Sequence, residues 1–376
     1  MTFFSYIKNF LKELKNQDLF RENKKEDKLN FILNDYLGLR QRKIKLEKFY
    51  KLKESLFTSS ASPLLGGYSN LKEAFCNFLK HLYKKEVLLF NTGYAANLGC
   101  LSSLKHINNL AIFVDRLAHA SIYDGILLSQ KPFFRFKHND MNHLEYLLKK
   151  YSKNYKYLYI VTESIFSMDG DISPIKDLLI LKDKYNFILH IDEAHAFGIY
   201  GKNLLGAFES YKEKIDIITI TFGKALGSFG SAILAEKSFV EFLLNTSRSY
   251  IYSTHIPNLN VFVSYLNFLY IRKNRNLHRK LFNNIAYFKR KIKEIGIESN
   301  SNTPIQPIFL KDLFKSSQKF KFKDLFEKLK KLKVQIGLIR YPTVPKGKER
   351  FRISLRADHS KKDIEDLVSI LKFLKR

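Results

Sequence analysis

Cysteine is scarce in this 376-residue sequence, which contains only two such residues. Cys76 and Cys100 form neither a CxxC pair nor a metal-ligand spacing. Their scarcity argues against a disulfide-stabilised fold and favours a reducing compartment. The cytoplasm is therefore the simplest location to predict, and no metal site is expected.

Long apolar runs are also missing, and none reaches the roughly 18 residues that a membrane-spanning helix needs. The N-terminal segment from Phe3 to Leu14 has apolar residues at helical spacing, with lysines between them. A secretory signal would need an uninterrupted apolar core and a small-residue cleavage site. The pattern therefore predicts an amphipathic helix that lies on the protein body.

Acidic residues are few relative to basic ones: 36 Asp and Glu stand against 65 Lys and Arg, a formal net charge of +29. Nucleic acid, an anionic membrane surface or an acidic substrate could each match such a charge. The lysines are spread along the whole chain with abundant Asn, Ile and Phe, as a lysine-favouring codon bias would produce. We favour a solvated basic surface, and nucleic acid ranks low because no helix-turn-helix, zinc-finger or RNP signature is evident.

The most informative stretch is 221–227, in which Lys224 lies between two glycines directly after the apolar run 215–220. Such a run predicts a buried strand that delivers one side chain at its end. Glycines let the backbone approach a ligand, and a desolvated lysine becomes nucleophilic, which suits a Schiff base. The alternative is an ordinary surface lysine, and only a second cofactor-binding residue elsewhere in the chain can exclude that interpretation.

That second residue lies upstream, where the apolar strand 187–191 ends in Asp192 and, three residues on, His195. Pyridoxal phosphate needs a carboxylate against its ring nitrogen, and Asp192 at a strand end can supply it. His195 would then lie near the ring oxygen; the alternative is a hydrogen-bonded loop histidine. The order of Asp192 and Lys224 fits the common pyridoxal-phosphate arrangement on a doubly wound sheet.

The segments 192–195 (Asp-Glu-Ala-His) and 221–224 (Thr-Phe-Gly-Lys) resemble motifs of the α-oxoamine synthases, and the 8-amino-7-oxononanoate synthase branch is the most similar. The resemblance runs from 34–39 to 352–355, nearly the whole chain. It implies an α/β, aminotransferase-like fold of type I, with a mostly parallel sheet in a large domain and a smaller C-terminal α+β domain. We predict an N-terminal arm over 1–45, a cofactor-binding large domain over 46–250, and a linker helix with the small domain over 251–376.

The resemblance also implies the residues of a cofactor site. Gly93 and Tyr94 follow the predicted strand 87–90 and open a helix whose N–H groups suit a phosphate. Ser167 matches a serine that hydrogen-bonds the ring oxygen, and His119 matches a histidine that stacks on the ring, with helix capping as its alternative role. The predicted cofactor-binding residues are Lys224, Asp192, His195, Ser167, Thr221, Gly93, Tyr94 and His119. The predicted catalytic residues are Lys224, His119 and Asp192.

A substrate site is implied in the same way. Arg352 matches the arginine that binds the amino-acid carboxylate, since a guanidinium grips a carboxylate with two parallel hydrogen bonds. Asn34 matches an asparagine that faces the substrate, and Arg21 and Thr343 match residues beside the acyl donor. The predicted substrate-binding residues are Arg21, Asn34, His119, Thr343 and Arg352.

The implied reaction condenses L-alanine with a pimeloyl thioester, carried by coenzyme A or an acyl carrier protein, to give 8-amino-7-oxononanoate for biotin biosynthesis. Arg116 and Thr343 favour this branch, whereas Ala196 is common in relatives that join glycine to acetyl-CoA or succinyl-CoA, so both branches stay open. The basic surface could steer either acidic acyl donor. Segment 249–254 resembles one that reaches a neighbouring subunit's phosphate site, which implies a homodimer with shared active sites.

Two further interpretations remain. The loop 58–68 has fewer glycines than the family pattern and carries Pro63 near a usual arginine, so its shape is not predicted. A basic nucleic-acid-binding or regulatory protein on the same scaffold would need a separate DNA-binding domain, for which the chain leaves no room.

Overall fold

Strands and helices alternate along most of the chain, as expected for a sheet covered by helices on both faces. The computed structural model describes residues 2–23, 25–27, 29–52, 54–314, 322–341 and 343–375. The strands are β1 Leu29–Asn30, β2 Glu86–Phe90, β3 Leu110–Asp115, β4 Phe133–Phe136, β5 Tyr157–Glu163, β6 Ile188–Asp192, β7 Ile217–Thr221, β8 Ser231–Ala235, β9 Ile305–Phe309, β10 Val334–Gln335, β11 Gly337–Ile339 and β12 Arg350–Ser354. The helices are α1 Phe3–Asn16, α2 Glu47–Tyr50, α3 Asn70–Tyr83, α4 Gly93–Ser103, α5 Ala120–Ser129, α6 Met141–Tyr151, α7 Ile175–Tyr185, α8 Lys237–Thr246, α9 Arg248–Ile251, α10 Asn258–Lys273, α11 Asn276–Glu294, α12 Leu310–Leu313, α13 Phe322–Lys331 and α14 Lys361–Lys375.

The large sheet has seven strands in the order β2-β8-β7-β6-β5-β3-β4. Strand β8 runs antiparallel to both its neighbours, and the pairs from β7 through β4 are all parallel. Its inner strands are covered on both faces, which explains why β3 and β7 are buried at every residue. The predicted α/β fold with a mostly parallel sheet is confirmed.

A second, three-stranded antiparallel sheet has the order β11-β12-β9, and α11 packs with α14 beside it. The N-terminal part of the chain joins this region, because β1 pairs in parallel with β10 and the backbone N–H of Ser354 donates to the carbonyl of Phe31 at 2.7 Å. Segment 29–36 is thereby held against the C-terminal strands. The domain boundaries given above stay a prediction.

Strand β4 follows Pro132 and was not among the predicted elements; only four residues pair, and they do not alternate in burial. The region of the predicted linker helix contains two helices, α10 and α11, which are separated at Asn274 and Arg275.

Helix α1 does not lie on the protein body as predicted. The Thr2 hydroxyl accepts from the N–H of Ser5, so the helix begins with a local cap, yet none of its residues is buried. Phe3 is 72% exposed and Phe10 is 51% exposed. Among the described residues, no helix combines the length and apolarity that crossing a membrane requires.

Candidate active site

The candidate site lies where the strands of the large sheet end. Strands β3, β5, β6 and β7 are parallel, and β2 shares their direction because it and β7 both run antiparallel to β8. Their carboxyl ends therefore meet at one edge of the sheet, the usual ligand-binding edge of such folds. The predicted site residues that follow these five strands are Gly93, His119, Ser167, His195 and Lys224.

Lys224 is half-buried in the loop after β7, and its Nζ atom lies 3.1 Å from Nε2 of His195. The other ring nitrogen of His195, Nδ1, lies 2.7 Å from the hydroxyl of Tyr36. That hydroxyl also donates to Oδ1 of Asn34 at 3.2 Å. A hydrogen-bonded path thus joins the amine of Lys224 to the segment 34–36.

The charges along this path are set by burial. Burial lowers the pKa of Lys224 to about 8, and Asp192 and Glu163 offset this only in part. Burial, together with the nearby cations Lys224 and Arg352, holds the pKa of His195 well below its usual range. His195 is therefore neutral and can accept a proton at Nε2 while Nδ1–H donates to Tyr36. Lys224 can lose its proton close to neutral pH, as a base or nucleophile must.

Asp192 ends β6 and is 5% exposed. Its Oδ2 accepts from Nδ2 of Asn97 at 2.7 Å, and its Oδ1 accepts from the backbone N–H of Ala194 at 2.9 Å. Both donors are neutral, and Asp192 forms no ion pair with a described residue. A buried carboxylate is stable only with a compensating charge, so this position suits a cationic ligand group.

The start of α4 forms an anion-binding turn. Thr92 caps the helix, its Oγ1 accepting from the N–H of Ala95 at 3.0 Å. A Cβ atom at Gly93 would lie 2.6 Å from Cγ2 of Thr221, so only glycine lets the helix approach the end of β7 this closely. The N–H groups of a first helical turn point outward with a partial positive charge, which suits a phosphate. Tyr94 is exposed, and its hydroxyl bonds to Asp124 on α5.

Arg352 joins the small sheet to this edge. Its Nε donates to the carbonyl of Ser167 at 2.6 Å, its Nη1 to Oγ of Ser354 at 2.7 Å and its Nη2 to Oδ1 of Asn34 at 2.9 Å. Three predicted site residues, Arg352, Asn34 and Ser167, are therefore in direct contact. Each terminal nitrogen keeps a second N–H for a substrate carboxylate.

His119 caps α5, which is the alternative role that the sequence analysis gave it. Its Nδ1 accepts from the N–H of Ser121 at 3.2 Å and lies 2.8 Å from the Ser121 hydroxyl. Partial desolvation lowers the pKa of His119, with Asp192 opposing and Lys224 adding to the shift. Capping uses only Nδ1, and the residue stays exposed, with the charges of Asp192 and Lys224 acting on its ring.

Arg21 and Thr343 lie outside this group. Both are exposed, and the N–H of Thr343 donates to the carbonyl of Arg340 at 3.0 Å. Burial lowers the pKa of Arg340, the charge of Asp18 opposes this shift and the charge of Arg21 adds to it, so both side chains lie near the Arg340 guanidinium. The structure therefore gathers Arg21 and Thr343 around Arg340.

Three contributing residues were not predicted. Tyr36 lies inside the segment that supplied Asn34, so its aromatic hydroxyl next to a predicted site residue was the available signal. Arg340 likewise lies three residues before the predicted Thr343. Asn97 carried no comparable signal, because nothing in its flanking sequence marks its distant partner Asp192.

The assembled residues fit pyridoxal phosphate. Lys224 offers an amine with a lowered pKa, Asp192 a buried carboxylate without a described cationic partner, and α4 a helix N-terminus. Nearby, Oε1 of Glu163 is buried and has no hydrogen-bond partner among the described residues. Such an orphan atom is typical of a site that is completed by a ligand.

A family model described as "Aminotransferase class I and II" matches residues 26–371. The chain belongs to this family. Members depend on pyridoxal phosphate, which is accordingly the cofactor of this enzyme.

Curated relatives narrow the family further. A "Putative 8-amino-7-oxononanoate synthase" of Glaesserella parasuis is 40% identical over 352 residues, covering 91% of this chain and 90% of the relative. A protein of the same name from Aquifex aeolicus is 36% identical over 380 residues, covering 97% of each chain. The α-oxoamine synthase family predicted from the motifs, an acyl-transferring group of enzymes, is thereby confirmed.

Solved structures share the fold. 8-Amino-7-oxononanoate synthase from Francisella tularensis superposes with a TM-score of 0.71 at 27% identity, over 92% of this chain and 96% of that one. Serine palmitoyltransferase from Sphingomonas wittichii gives a TM-score of 0.81 at 23% identity, over 92% of this chain and 86% of that one. The latter similarity concerns the fold alone.

Proposed function

We propose that this enzyme condenses L-alanine with a pimeloyl thioester, releasing carbon dioxide and the thiol, to give 8-amino-7-oxononanoate for biotin biosynthesis. The observation that carries the reaction type is the contact of 3.1 Å between Lys224 Nζ and His195 Nε2, beside the guanidinium of Arg352. The printed names of relatives with 36–40% identity support the choice of substrates.

The residues divide the work as follows. Arg352 and Asn34 bind the alanine carboxylate, and Lys224 removes the proton from the alanine α-carbon. His195 accepts a hydrogen bond from Lys224 and orients its lone pair, with Tyr36 fixing the histidine from behind. Pyridoxal phosphate, when bound, supplies an electron sink for the resulting carbanion. Asp192 provides the negative charge that this sink requires, and His119 covers the site from the start of α5.

The acyl donor enters from the side of Arg340. Arg21 and Arg340 bring two positive charges to this region against the single carboxylate of Asp18, and this excess suits the phosphates of coenzyme A or the distal carboxylate of the pimeloyl chain. Thr343 contacts Arg340 through its backbone N–H. The alanine α-carbon then forms a bond to the thioester carbonyl carbon, and the thiolate leaves and takes a proton from solvent. Loss of the original carboxylate as carbon dioxide leaves an electron pair on the α-carbon, which takes back the proton held by Lys224 to give the amino ketone.

We also propose that the enzyme works in the cytoplasm as a homodimer with shared active sites. Segment 249–254 packs against the start of α4, where Ser249 Oγ donates to the carbonyl of Ala95 at 2.7 Å and Asn91 Nδ2 donates to Ser253 Oγ at 2.9 Å. Tyr252 in the same segment is 72% exposed, so it is available to a second copy. Light scattering of the purified protein measures the assembly state.

The decisive experiment combines purified, cofactor-loaded protein with alanine and pimeloyl-CoA, and detects product by mass spectrometry. We expect 8-amino-7-oxononanoate from the native enzyme and none from Lys224→Ala, because the base is then missing. Lys202→Ala, which changes an exposed lysine, is the matched control and should keep full activity. Product formation by Lys224→Ala would refute the role of Lys224.

A glycine-using synthase is the second candidate, favoured by Ala196, which is fully buried next to the catalytic His195. Parallel assays with alanine or glycine, each with pimeloyl-CoA, acetyl-CoA and succinyl-CoA, separate the two. A higher kcat/KM for glycine with a short thioester would replace alanine and pimeloyl as the substrates while leaving the site residues in place.

A further inference from the structure

Asn97 lies one turn into α4 and is 1% exposed. Its Nδ2 donates to Oδ2 of Asp192 at 2.7 Å and to Oγ of Ser121 at 3.1 Å. Ser121 Oγ in turn lies 2.8 Å from Nδ1 of His119. One buried amide therefore connects the carboxylate of Asp192 with the residue that holds His119, although the three lie on different elements.

A second set of hydrogen bonds fixes the orientation of this amide. Thr219 Oγ1 donates to Oδ1 of Asn97 at 2.9 Å. The ring of His190 lies behind Thr219, with Nε2 at 2.8 Å from Thr219 Oγ1 and Nδ1 at 2.9 Å from the hydroxyl of Tyr159. Since Thr219 uses its hydrogen on Asn97, His190 donates from Nε2 and accepts from Tyr159 at Nδ1. The donors thus all point in one direction, from Tyr159 toward Asp192.

We propose that Asn97 is a positioning residue of the cofactor site, which keeps the carboxylate of Asp192 aligned and ties its orientation to that of His119. A reversed amide would place Oδ1 against the carboxylate and leave the Thr219 hydroxyl without its acceptor. Both consequences would destabilise the protein, because a buried polar group without a hydrogen-bond partner costs free energy. The polarised chain therefore selects one orientation of the amide, and Nδ2 always donates to Asp192.

This inference rests on the cofactor of the family and does not depend on which amino acid or thioester is the substrate. Its test uses release of pyridoxal phosphate from the loaded, full-length protein by equilibrium dialysis, together with the visible absorption of the bound cofactor across pH. Asn97→Ala should weaken retention of the cofactor about 10- to 100-fold, the factor expected for one lost hydrogen bond to a charged group. The pH midpoint of the absorption change should also move.

A second variant keeps the test decisive if Asn97→Ala does not fold. Thr219→Val preserves shape and leaves Asn97 in place, but it removes the hydroxyl that orients the amide. We expect a smaller loss of cofactor affinity, about 3- to 10-fold, with the same direction of the spectral shift. The control is Asn258→Ala, because Asn258 is equally buried but bonds to Ser55 and Ser69, away from the site.

The outcomes divide cleanly. A spectral midpoint that moves in Thr219→Val, and in Asn97→Ala where it folds, but not in Asn258→Ala, supports the positioning role. Variants that differ from the native protein only in melting temperature, with unchanged cofactor retention and spectrum, would overturn it and leave Asn97 as a packing residue. Failure of the proposed alanine reaction would not alter either readout.

Discussion

At the scale of single residues, the site is held together by neutral hydrogen-bonding groups around few charges. His195 accepts a hydrogen bond from Lys224 at Nε2 and donates one to Tyr36 from Nδ1, and Tyr36 is completely buried. Burial raises the pKa of Tyr36 to about 12, so its hydroxyl keeps its proton throughout the working range. Tyr36 therefore acts as a permanent hydrogen-bond partner that fixes the ring of His195.

We expect Tyr36→Phe to lower kcat about 3- to 10-fold, the cost of one neutral buried hydrogen bond, with a smaller effect on the KM for alanine. Without the hydroxyl, the ring of His195 loses its fixed tautomer, so the pH dependence of kcat should also shift. Steady-state kinetics from pH 6 to 9 measure both effects. Tyr287→Phe, which removes a surface hydroxyl bonded to Glu365, is the control. Native pH dependence in Tyr36→Phe would contradict the role of Tyr36.

Sequence patterns located the site residues at the strand ends, but not the residues that hydrogen-bond to them and hold them in position. Lys224 and Asp192 each follow an apolar run, so a local pattern marks them. The partners of Tyr36 and Asn97 lie 159 and 95 residues away in the chain, at His195 and Asp192. Only the assembled sheet brings such pairs together, and no pattern within one segment records it.

At the scale of elements, one histidine connects the end of β3 with the loop after β5. His138 Nδ1 lies 3.0 Å from Oδ1 of Asp115 at the end of β3, and its Nε2 lies 2.6 Å from Oδ2 of Asp171 in the loop after β5. Burial lowers the pKa of His138, but the hydrogen bonds to Asp115 and Asp171 outweigh it and raise the value to about 10. The imidazolium therefore bridges two carboxylates.

This bridge predicts a pH-dependent stability. The folded-state pKa of about 10 exceeds the unfolded value of roughly 6.5, so the contribution is complete below about pH 6.5 and is lost as pH rises toward 10. His138→Gln should destabilise the protein by about 3 kcal/mol at pH 6, because a buried carboxylate loses its partner. The difference in melting temperature from the native protein should shrink by pH 9.5. His106→Gln, at an exposed site, is the control; a pH-independent difference for His138→Gln would exclude the charged bridge.

The elements themselves were predictable where burial is continuous. Strand β3 is buried at every residue, and its apolar run stood out in the sequence. Strand β4 lies at the sheet edge, where only one of its four residues is buried, so it left no comparable run. Helix α1 was recognised from its period, but whether an amphipathic face finds a partner within the same chain is a tertiary property.

At the scale of the whole molecule, the net charge of +29 surrounds a site that we expect to accept anionic donors. Coenzyme A carries phosphates and acyl carrier proteins are acidic, so long-range attraction should concentrate either donor at the surface. We expect the attracted donor to bind next to Arg21 and Arg340, whose charges act on each other. A solvated basic surface without any role in catalysis makes the opposite prediction for salt.

We therefore expect the KM for a pimeloyl carrier protein to rise about 10-fold or more between 50 and 300 mM salt, since the screening length falls from about 14 Å to about 6 Å. The kcat should stay nearly constant, because the chemistry occurs in a partly buried site. Pimeloyl N-acetylcysteamine, which has the thioester but no phosphates, is the matched control and should respond weakly. An equal salt response of both donors would assign the basic surface to solvation alone. If Arg21→Ala halves the salt-dependent increase in the KM for the carrier protein, part of the attraction would instead act near Arg340.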